Sequence, residues 1–374
     1  MAKKIVSAGL LCLDIMPVFK EGPRKEIQEL LSPGKLIEID NADIHTGGSV
    51  ANSGLAFQYF GADVTLMGKI GRDYFGTLVE KILAGYGIHE GLIVSPDCGT
   101  SYSVVLSPPG IDRIFLHYPG ASNFFDYSDI DFGKVEGADL FHFGYPTVMQ
   151  RLYGNNGSEL IRIFREVKDL GILTSLDMAA IDPSSDAAKP DWRVILKDLI
   201  QYVDFFVPSV EELCFMLDRE RHAEWLDRSK GKDVTLVLDL EQDIKPLADQ
   251  LIDWGAKIVL IKCGAPGMYL RTADAGTLTA LGPQYEPWAG TDVFEASYQE
   301  ERYCSGTGAG DVSLAAFLMA AIEGYSPQRC LQLAAGAGAC CVASYDALSG
   351  LMSFEEMIKK IEAGWKKRPA AVNR

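Results

Sequence analysis

Gly306-Thr307-Gly308-Ala309-Gly310-Asp311, running straight into the apolar stretch 312–322, sets a glycine-rich turn against the start of a helix. Alternating glycines in that position let successive backbone N–H groups converge on one anion, helped by the positive end of the helix. Asp311 stands at the mouth of the anion site. A carboxylate there would repel a phosphate it had to bind, but as a general base it takes the proton of a hydroxyl attacking phosphorus. The residues alone leave a second reading equally open, in which Asp311 only caps the helix and complements its dipole. Two other phosphate motifs are excluded. No Gly-x4-Gly-Lys-Ser/Thr occurs, and the glycines at 306, 308 and 310 do not continue as Gly-x-Gly-x-x-Gly, because position 311 is Asp.

Outward from this turn, strand-like and helix-like patterns alternate. Residues 5–13 read as a strand, 50–60 as a helix closed by Gly61, 64–68 as a strand and 74–83 as a helix ended by Gly85. Four short apolar runs follow at 139–143, 172–176, 205–207 and 258–261, with helical patterns between them. Such alternation predicts an α/β fold with a largely parallel sheet covered on both faces. No long linker or repeat interrupts it, so one domain over 1–374 is expected. Two stretches break the rhythm: 35–45, and 100–106 with 114–118 beyond the turn Pro108-Pro109-Gly110. Both carry hairpin signals and predict a small antiparallel sheet projecting from the main domain. The stretch 218–243 is charged and poorly periodic, and no role is legible in it.

The chain has 374 residues, with 35 Lys+Arg against 51 Asp+Glu and a formal charge of −16. That balance argues against nucleic acid and against anionic membrane surfaces as partners. No apolar run reaches the roughly 18 residues of a spanning helix. Residues 1–13 imitate a short signal peptide, but Asp14 interrupts them and no small-x-small cleavage site follows. Eight cysteines without Cys-x-x-Cys and five isolated histidines offer no zinc spacing. The expectation is a reduced, cytoplasmic protein without a structural metal.

A second glycine cluster, Gly47-Gly48-Ser49-Val50-Ala51-Asn52, opens the first helix. Paired glycines admit a ligand to the backbone, and Asn52 on the first turn offers a donor and an acceptor, which suits a polyol. Asn52 as an ordinary polar helix residue fits those residues as well. Gly68-Lys69-Ile70-Gly71-Arg72-Asp73 then closes a strand and begins a helix. Taken in order, Gly47-Gly48-x3-Asn52, Gly68-Lys69-Ile70-Gly71-x-Asp73-x2-Gly76 and Gly308-Ala309-Gly310-Asp311 resemble the ribokinase-like (PfkB-type) carbohydrate kinases, from Gly9 to about Gly350. The resemblance implies a three-layer αβα domain with a mostly parallel central sheet of about nine strands. It also implies a small antiparallel β-sheet lid, which the hairpin segments 15–46 and 99–119 would form.

The resemblance also implies roles. Asp311 matches the catalytic base, and the amides of Gly308, Ala309 and Gly310 match the anion hole. Asp14, with Gly47, Gly48 and Asn52, matches the sugar-binding set; a solvated strand-end charge is the plainer reading of Asp14. Lys262-x-Gly264-x2-Gly267 and Gly306 match the segments lining the nucleotide site, with adenine near 336–343, although 262–267 also reads as a simple β-turn. Glu212 matches the carboxylate that organises magnesium waters. Three positions depart from the family. Ser305 stands where Asp helps to hold K+, which speaks against K+ activation. Ser209 replaces the Asn before Glu212, and Pro119-Gly120-Ala121-Ser122 replaces Pro-Gly-Ala-Asn. The expected function is an ATP- and Mg2+-dependent kinase acting on a hydroxyl of a small sugar or sugar acid. A nucleoside kinase of the same fold is the alternative, drawing on Tyr102, Phe115, Tyr118, Phe124 and Phe125 as an aromatic wall. A sugar- or nucleoside-binding regulator without phosphoryl transfer is a third. An exposed edge of the lid sheet would suit a homodimer.

Overall fold

The computed structural model describes residues 2–20, 32–108, 113–344 and 346–368. Nine strands form the large sheet: β1 (Lys4–Gly9), β4 (Asp63–Gly71), β5 (Leu92–Ser95), β8 (Leu140–Gly144), β9 (Leu173–Asp177), β10 (Phe205–Phe206), β11 (Ile258–Lys262), β12 (Gly267–Thr272) and β13 (Asp292–Ala296). Their spatial order is β13-β12-β11-β10-β9-β8-β1-β4-β5. All pairings from β11 to β5 are parallel, and β12 and β13 add an antiparallel edge.

Strands buried on both faces need mostly apolar residues, and these have them apart from a few buried polar ones such as Ser7, His142, Thr174 and Ser175. Phe141, Phe143, Leu176, Phe206, Val259 and Ile261 face one core. Leu140, Phe205, Ile258 and Leu260 face the other. The first core is closed by helices α3 (Ser158–Asp169), α4 (Trp192–Leu199), α5 (Val210–Leu217), α6 (Arg219–Ser229) and α7 (Lys245–Asp253). The second is closed by α1 (Gly48–Tyr59), α8 (Ala309–Ile322), α9 (Pro327–Cys341) and α10 (Phe354–Glu362). Helix α2 (Tyr74–Gly85) packs Val79 and Leu83 into a third cluster with Leu66 and Ile70 of β4. This is the three-layer arrangement expected.

The second sheet has the order β3-β2-β6-β7, from β2 (Cys12–Phe19), β3 (Ile39–Gly47), β6 (Tyr102–Leu106) and β7 (Ile114–Tyr118). Each hairpin, β2–β3 and β6–β7, is antiparallel, and the two are joined by parallel pairing of β2 with β6. Residues 109–112, which carry most of the expected turn, lie outside the described residues. One expectation needs correction: residues 5–13 are not a single strand. Strand β1 ends at Gly9, and β2 starts at Cys12 in the other sheet. The apolar run is unbroken because Leu10 and Leu11, 5% and 0% exposed, are buried while the chain crosses between sheets.

The stretch 218–243 becomes α6 and the turns after it. Trp225 is 1% exposed and donates its indole N–H to Oδ1 of Asp243 (3.0 Å), while Arg228 holds Oδ2. One buried tryptophan thus anchors a helix that is otherwise charged. Among the described residues no helix is long and apolar enough to cross a membrane.

Candidate active site

The parallel strands deliver their C-terminal ends to one edge of the sheet, where open α/β folds place ligands. Tyr145 follows β8, Asp177 ends β9, Ser209 follows β10 and Lys262 ends β11. Helix α8 presents its N-terminus to the same edge.

Gly308 caps α8 with φ +75°, a left-handed conformation that favours glycine, and a Cβ there would lie 2.6 Å from Cβ of Ala347. Asp311, on the first turn, is 2% exposed. Oδ2 accepts from Nδ2 of Asn52 (2.9 Å), and Oδ1 accepts from the hydroxyls of Tyr145 (2.9 Å) and Ser53 (3.4 Å). Burial raises its pKa above the usual carboxylate value. Lys262 and the three donors oppose that rise without cancelling it. The group is therefore more basic than a surface aspartate, as proton abstraction requires.

Lys262 reaches the same centre, with Nζ 2.6 and 2.7 Å from the two oxygens of fully buried Asp177. Burial works against the lysine's charge, but Asp177, Glu212 and Asp311 together outweigh it and raise its pKa. Asp177 is in turn pushed up by burial, against the pull of Lys262. A Cβ on Gly310 would stand 3.6 Å from Nζ of Lys262, so the side chain nearest the glycine turn at that point, among the described residues, is a cation.

Glu212 and Ser209 form a capping box on α5. The Ser209 N–H donates to Oε2 of Glu212 (2.7 Å), and the Glu212 N–H donates to Oγ of Ser209 (3.3 Å). Burial raises the Glu212 pKa. The serine at the family's asparagine position therefore still caps this helix, and Oε1 of Glu212 has no part in the box. Ser305 is spent inside its own loop, donating to Oγ1 of Thr307 (3.0 Å) and accepting from the Thr307 N–H (3.1 Å).

Asp14 lies in β2, not at the end of β1, and is 7% exposed. It pairs laterally with His45 and Ser103, and Sγ of Cys12 approaches Oδ1 (3.4 Å). Burial pushes its pKa from 3.8 to about 6, with Asp311 adding to the rise. Gly47 is obligatory beside it, since a Cβ would fall 2.2–2.5 Å from the Asp14 carboxylate. Gly48 begins α1, and Asn52, one turn on, meets Asp311 itself.

Not every anticipated residue joins this centre. Gly264 and Gly267 form the turn between antiparallel β11 and β12, where the Cys263 N–H donates to Gly267 O (2.8 Å). Gly306 faces Nη1 of Arg113 and the hydroxyl of Tyr303, each 3.1 Å from where a Cβ would be. In 336–343, Gly336 packs on Met357 and Trp365, and Gly338 on Ser313 of α8. Three residues that sequence reasoning missed do join: Asp177, Ser53 and Tyr145. Asp177 had a signal, a lone carboxylate ending an apolar strand. Ser53 and Tyr145 had none. Among the described residues no three His, Cys, Asp or Glu side chains group closely enough to cage a metal.

The pfkB family carbohydrate kinase model matches residues 7–352. The chain belongs to that family. It is 24% identical to Arabidopsis thaliana ribokinase over 90% of this chain and 77% of that protein. It is also 24% identical to the 2-dehydro-3-deoxygluconokinase of Thermoproteus tenax, over 88% and 90%. It spans 66% of the rice Fructokinase-2 and 58% of the maize Fructokinase-2. Arabidopsis thaliana ribokinase complexed with ribose and ATP superposes with TM-score 0.69, 21% identity and coverage of 96% and 98%. Burkholderia thailandensis nucleoside kinase in complex with inosine gives TM-score 0.66, 15% identity and coverage of 98% and 100%.

Proposed function

We propose that this chain transfers the γ-phosphoryl group of ATP to a hydroxyl of a small sugar or sugar acid. The observation that carries the reading is Asp311, buried on the first turn of α8 directly after Gly308-Ala309-Gly310 and held by Asn52, Tyr145 and Ser53. In this reading the amides of the glycine turn stabilise charge on the transferring phosphoryl group. Asp311 removes the acceptor proton, and Lys262 lends positive charge to the floor of the anion hole. Asp14, the backbone at Gly47 and Gly48, and Asn52 orient the acceptor beneath the small sheet acting as a lid. Ribokinase, fructokinase and 2-dehydro-3-deoxygluconokinase among the relatives support a sugar or sugar acid.

The residues suit magnesium in its usual partnership with nucleotide. Magnesium keeps several waters and takes few protein carboxylates, and Glu212, whose Oε2 caps α5, has its Oε1 outside that box to act through water. Bound there, it would neutralise charge on the triphosphate.

A nucleoside acceptor is the second reading, favoured by the Tyr102–Tyr118 pair (ring centroids 5.5 Å apart) and by the likeness to the nucleoside kinase. Two of the expected wall residues are otherwise engaged, however. Phe125 is 0% exposed in the core against Phe143, and Tyr102 packs on Phe75. The departures at Ser209 and Ser305, which suggest a non-catalytic regulator, leave the helix cap and the base in place.

ATP consumption against a panel of sugars, sugar acids and nucleosides tests the proposal. Turnover with a sugar or sugar acid, lost in Asp311→Asn, is expected. Turnover with nucleosides alone selects the second reading, and no turnover with any acceptor selects the regulator.

A further inference from the structure

We propose that Tyr145 is a positioning residue for the base: its hydroxyl, delivered by a left-handed backbone at the tip of β8, pins Oδ1 of Asp311 and leaves Oδ2 to receive the acceptor's proton. The proposal rests on the reading of Asp311 as the general base.

The geometry of the carboxylate is asymmetric. Among the described residues, Oδ1 accepts from Tyr145 (2.9 Å) and Ser53 (3.4 Å), while Oδ2 accepts only from Asn52 (2.9 Å). A carboxylate offers about four lone-pair directions, so the one left open is on Oδ2. The transfer then balances as follows. The acceptor O–H bond breaks, its proton passes to Oδ2, and its electron pair forms the new O–P bond. The bond from the γ-phosphorus to the bridging oxygen breaks, and that oxygen leaves with its electrons as part of ADP.

The backbone of Tyr145 points the same way. Its φ is 67° and its ψ 38°, a left-handed conformation uncommon for a bulky side chain, directly before Pro146. It is tied on both sides: its N–H donates to Asp177 O (3.1 Å), and its carbonyl accepts from the Val148 N–H (3.2 Å). The strand tip is therefore fixed to Asp177 at its amide and to Asp311 at its hydroxyl. Such an outlier persists only where surrounding bonds determine it, and such outliers cluster at functional sites.

Other charged and titratable groups face the base from every neighbouring element. They are Lys262 of β11, Asp177 of β9, Glu212 of α5, Asp14 and Cys12 of β2, and Cys341 of α9. Tyr145 is a neutral group that donates to Asp311 itself, whereas the thiols of Cys12 and Cys341 donate elsewhere, so its loss alters hydrogen bonding to the base without altering the charge around it.

The test is Tyr145→Phe, which keeps the ring and removes only the donor. With the most reactive acceptor of the panel, kcat should fall about tenfold while KM for acceptor and ATP stay within twofold, as expected for one lost hydrogen bond to a charged group. A second readout needs no acceptor. The carboxylic C=O absorption of Asp311, isolated by infrared difference against an Asp311→Asn partner, should titrate about one pH unit higher in the variant. Tyr145→Asn suits the left-handed backbone but is too short to reach Asp311, and it carries the same expectation should the phenylalanine protein fold poorly. Unchanged kcat and unchanged titration overturn the proposal. So does a loss of melting temperature with raised KM values at constant kcat, which marks a structural role. If Asp311→Asn keeps its activity, the assignment of the base fails first. If Asp311→Asn is inactive and Tyr145→Phe behaves as wild type, only the role of Tyr145 falls.

Discussion

Replacing Asp14 by asparagine should stabilise the ligand-free protein at neutral pH while crippling its use of the acceptor. The carboxyl is 7% exposed, and burial lifts its pKa from 3.8 to about 6. A carboxyl raised in the folded state favours folding below its unfolded pKa, and that contribution is lost as pH rises through the folded value. The window here runs from about pH 4 to about pH 6. A shift of about 2 units corresponds to roughly 3 kcal/mol at most, and an asparagine amide left without an acceptor beside Cys12 would take back part of it. The expected gain for Asp14→Asn is therefore about 1–3 kcal/mol at pH 8 and near zero at pH 4. The same change should lower kcat/KM for the acceptor by about 2–4 kcal/mol, because the site loses a charged partner for hydroxyls, with ATP affinity unchanged. Urea unfolding of both proteins at pH 4, 6 and 8 reads the first effect, and steady-state kinetics reads the second. Parallel stability–pH curves for the two proteins would refute the electrostatic argument. Equal losses in acceptor and ATP use would remove Asp14 from the acceptor site.

Asp311→Asn should cost roughly 10²–10⁴ in kcat with ATP affinity retained, read by initial rates and nucleotide titration; near-normal turnover contradicts the base assignment. Lys262→Met leaves fully buried Asp177 without its cation and should destabilise by about 3–5 kcal/mol at most, less where Asp177 takes up a proton, with much of the loss recovered in Lys262→Met/Asp177→Asn. Urea melts of these two variants and of Asp177→Asn measure that coupling, and additive losses would deny it. Replacing K+ by a bulky organic cation at constant ionic strength should alter the rate by less than about threefold, since Ser305 offers no charge and its hydroxyl is bonded to Thr307. Saturable activation of tenfold or more would contradict this.

What the sequence made legible follows from how local each signal is. The glycine turn, the helix after it and Asp311 are contiguous, so spacing alone fixed their relation. The parallel strands were readable because burial on both faces demands unbroken apolar runs. The same property hid the break after Gly9, since Leu10 and Leu11 are as apolar in the crossing as in a strand. Asp177 and Tyr145 meet Lys262 and Asp311 only through the order of the strands, which no local pattern encodes. Tyr145 was further hidden because its role depends on a left-handed backbone that tyrosine sequence statistics disfavour. Asn52 illustrates the opposite case. Its motif placed it correctly on the first helix, but its amide in the structure meets the base, joining acceptor side and catalytic side through one residue.

In the proposed reading, the charges in this cleft bear on why the anion hole would be built from backbone. Asp311 raises the pKa of Asp14, Asp177 and Glu212, so four carboxyls work against one another around a single lysine. A bare triphosphate entering beside them adds to that repulsion, whereas nucleotide complexed with magnesium brings less negative charge. Such a hole would offer amide dipoles and a helix end, which would attract the transferring group without pairing permanently with a neighbouring carboxylate, as a further lysine or arginine would. Lys262 shows that alternative, since both oxygens of Asp177 already claim its ammonium. The same Nζ lies 3.6 Å from where a Cβ on Gly310 would stand, an ordinary van der Waals distance. No unusual φ marks Gly310, so the turn itself does not demand glycine there; in the proposed reading its bare Cα leaves Lys262, the one buried cation among the described residues, an open approach to the phosphoryl group.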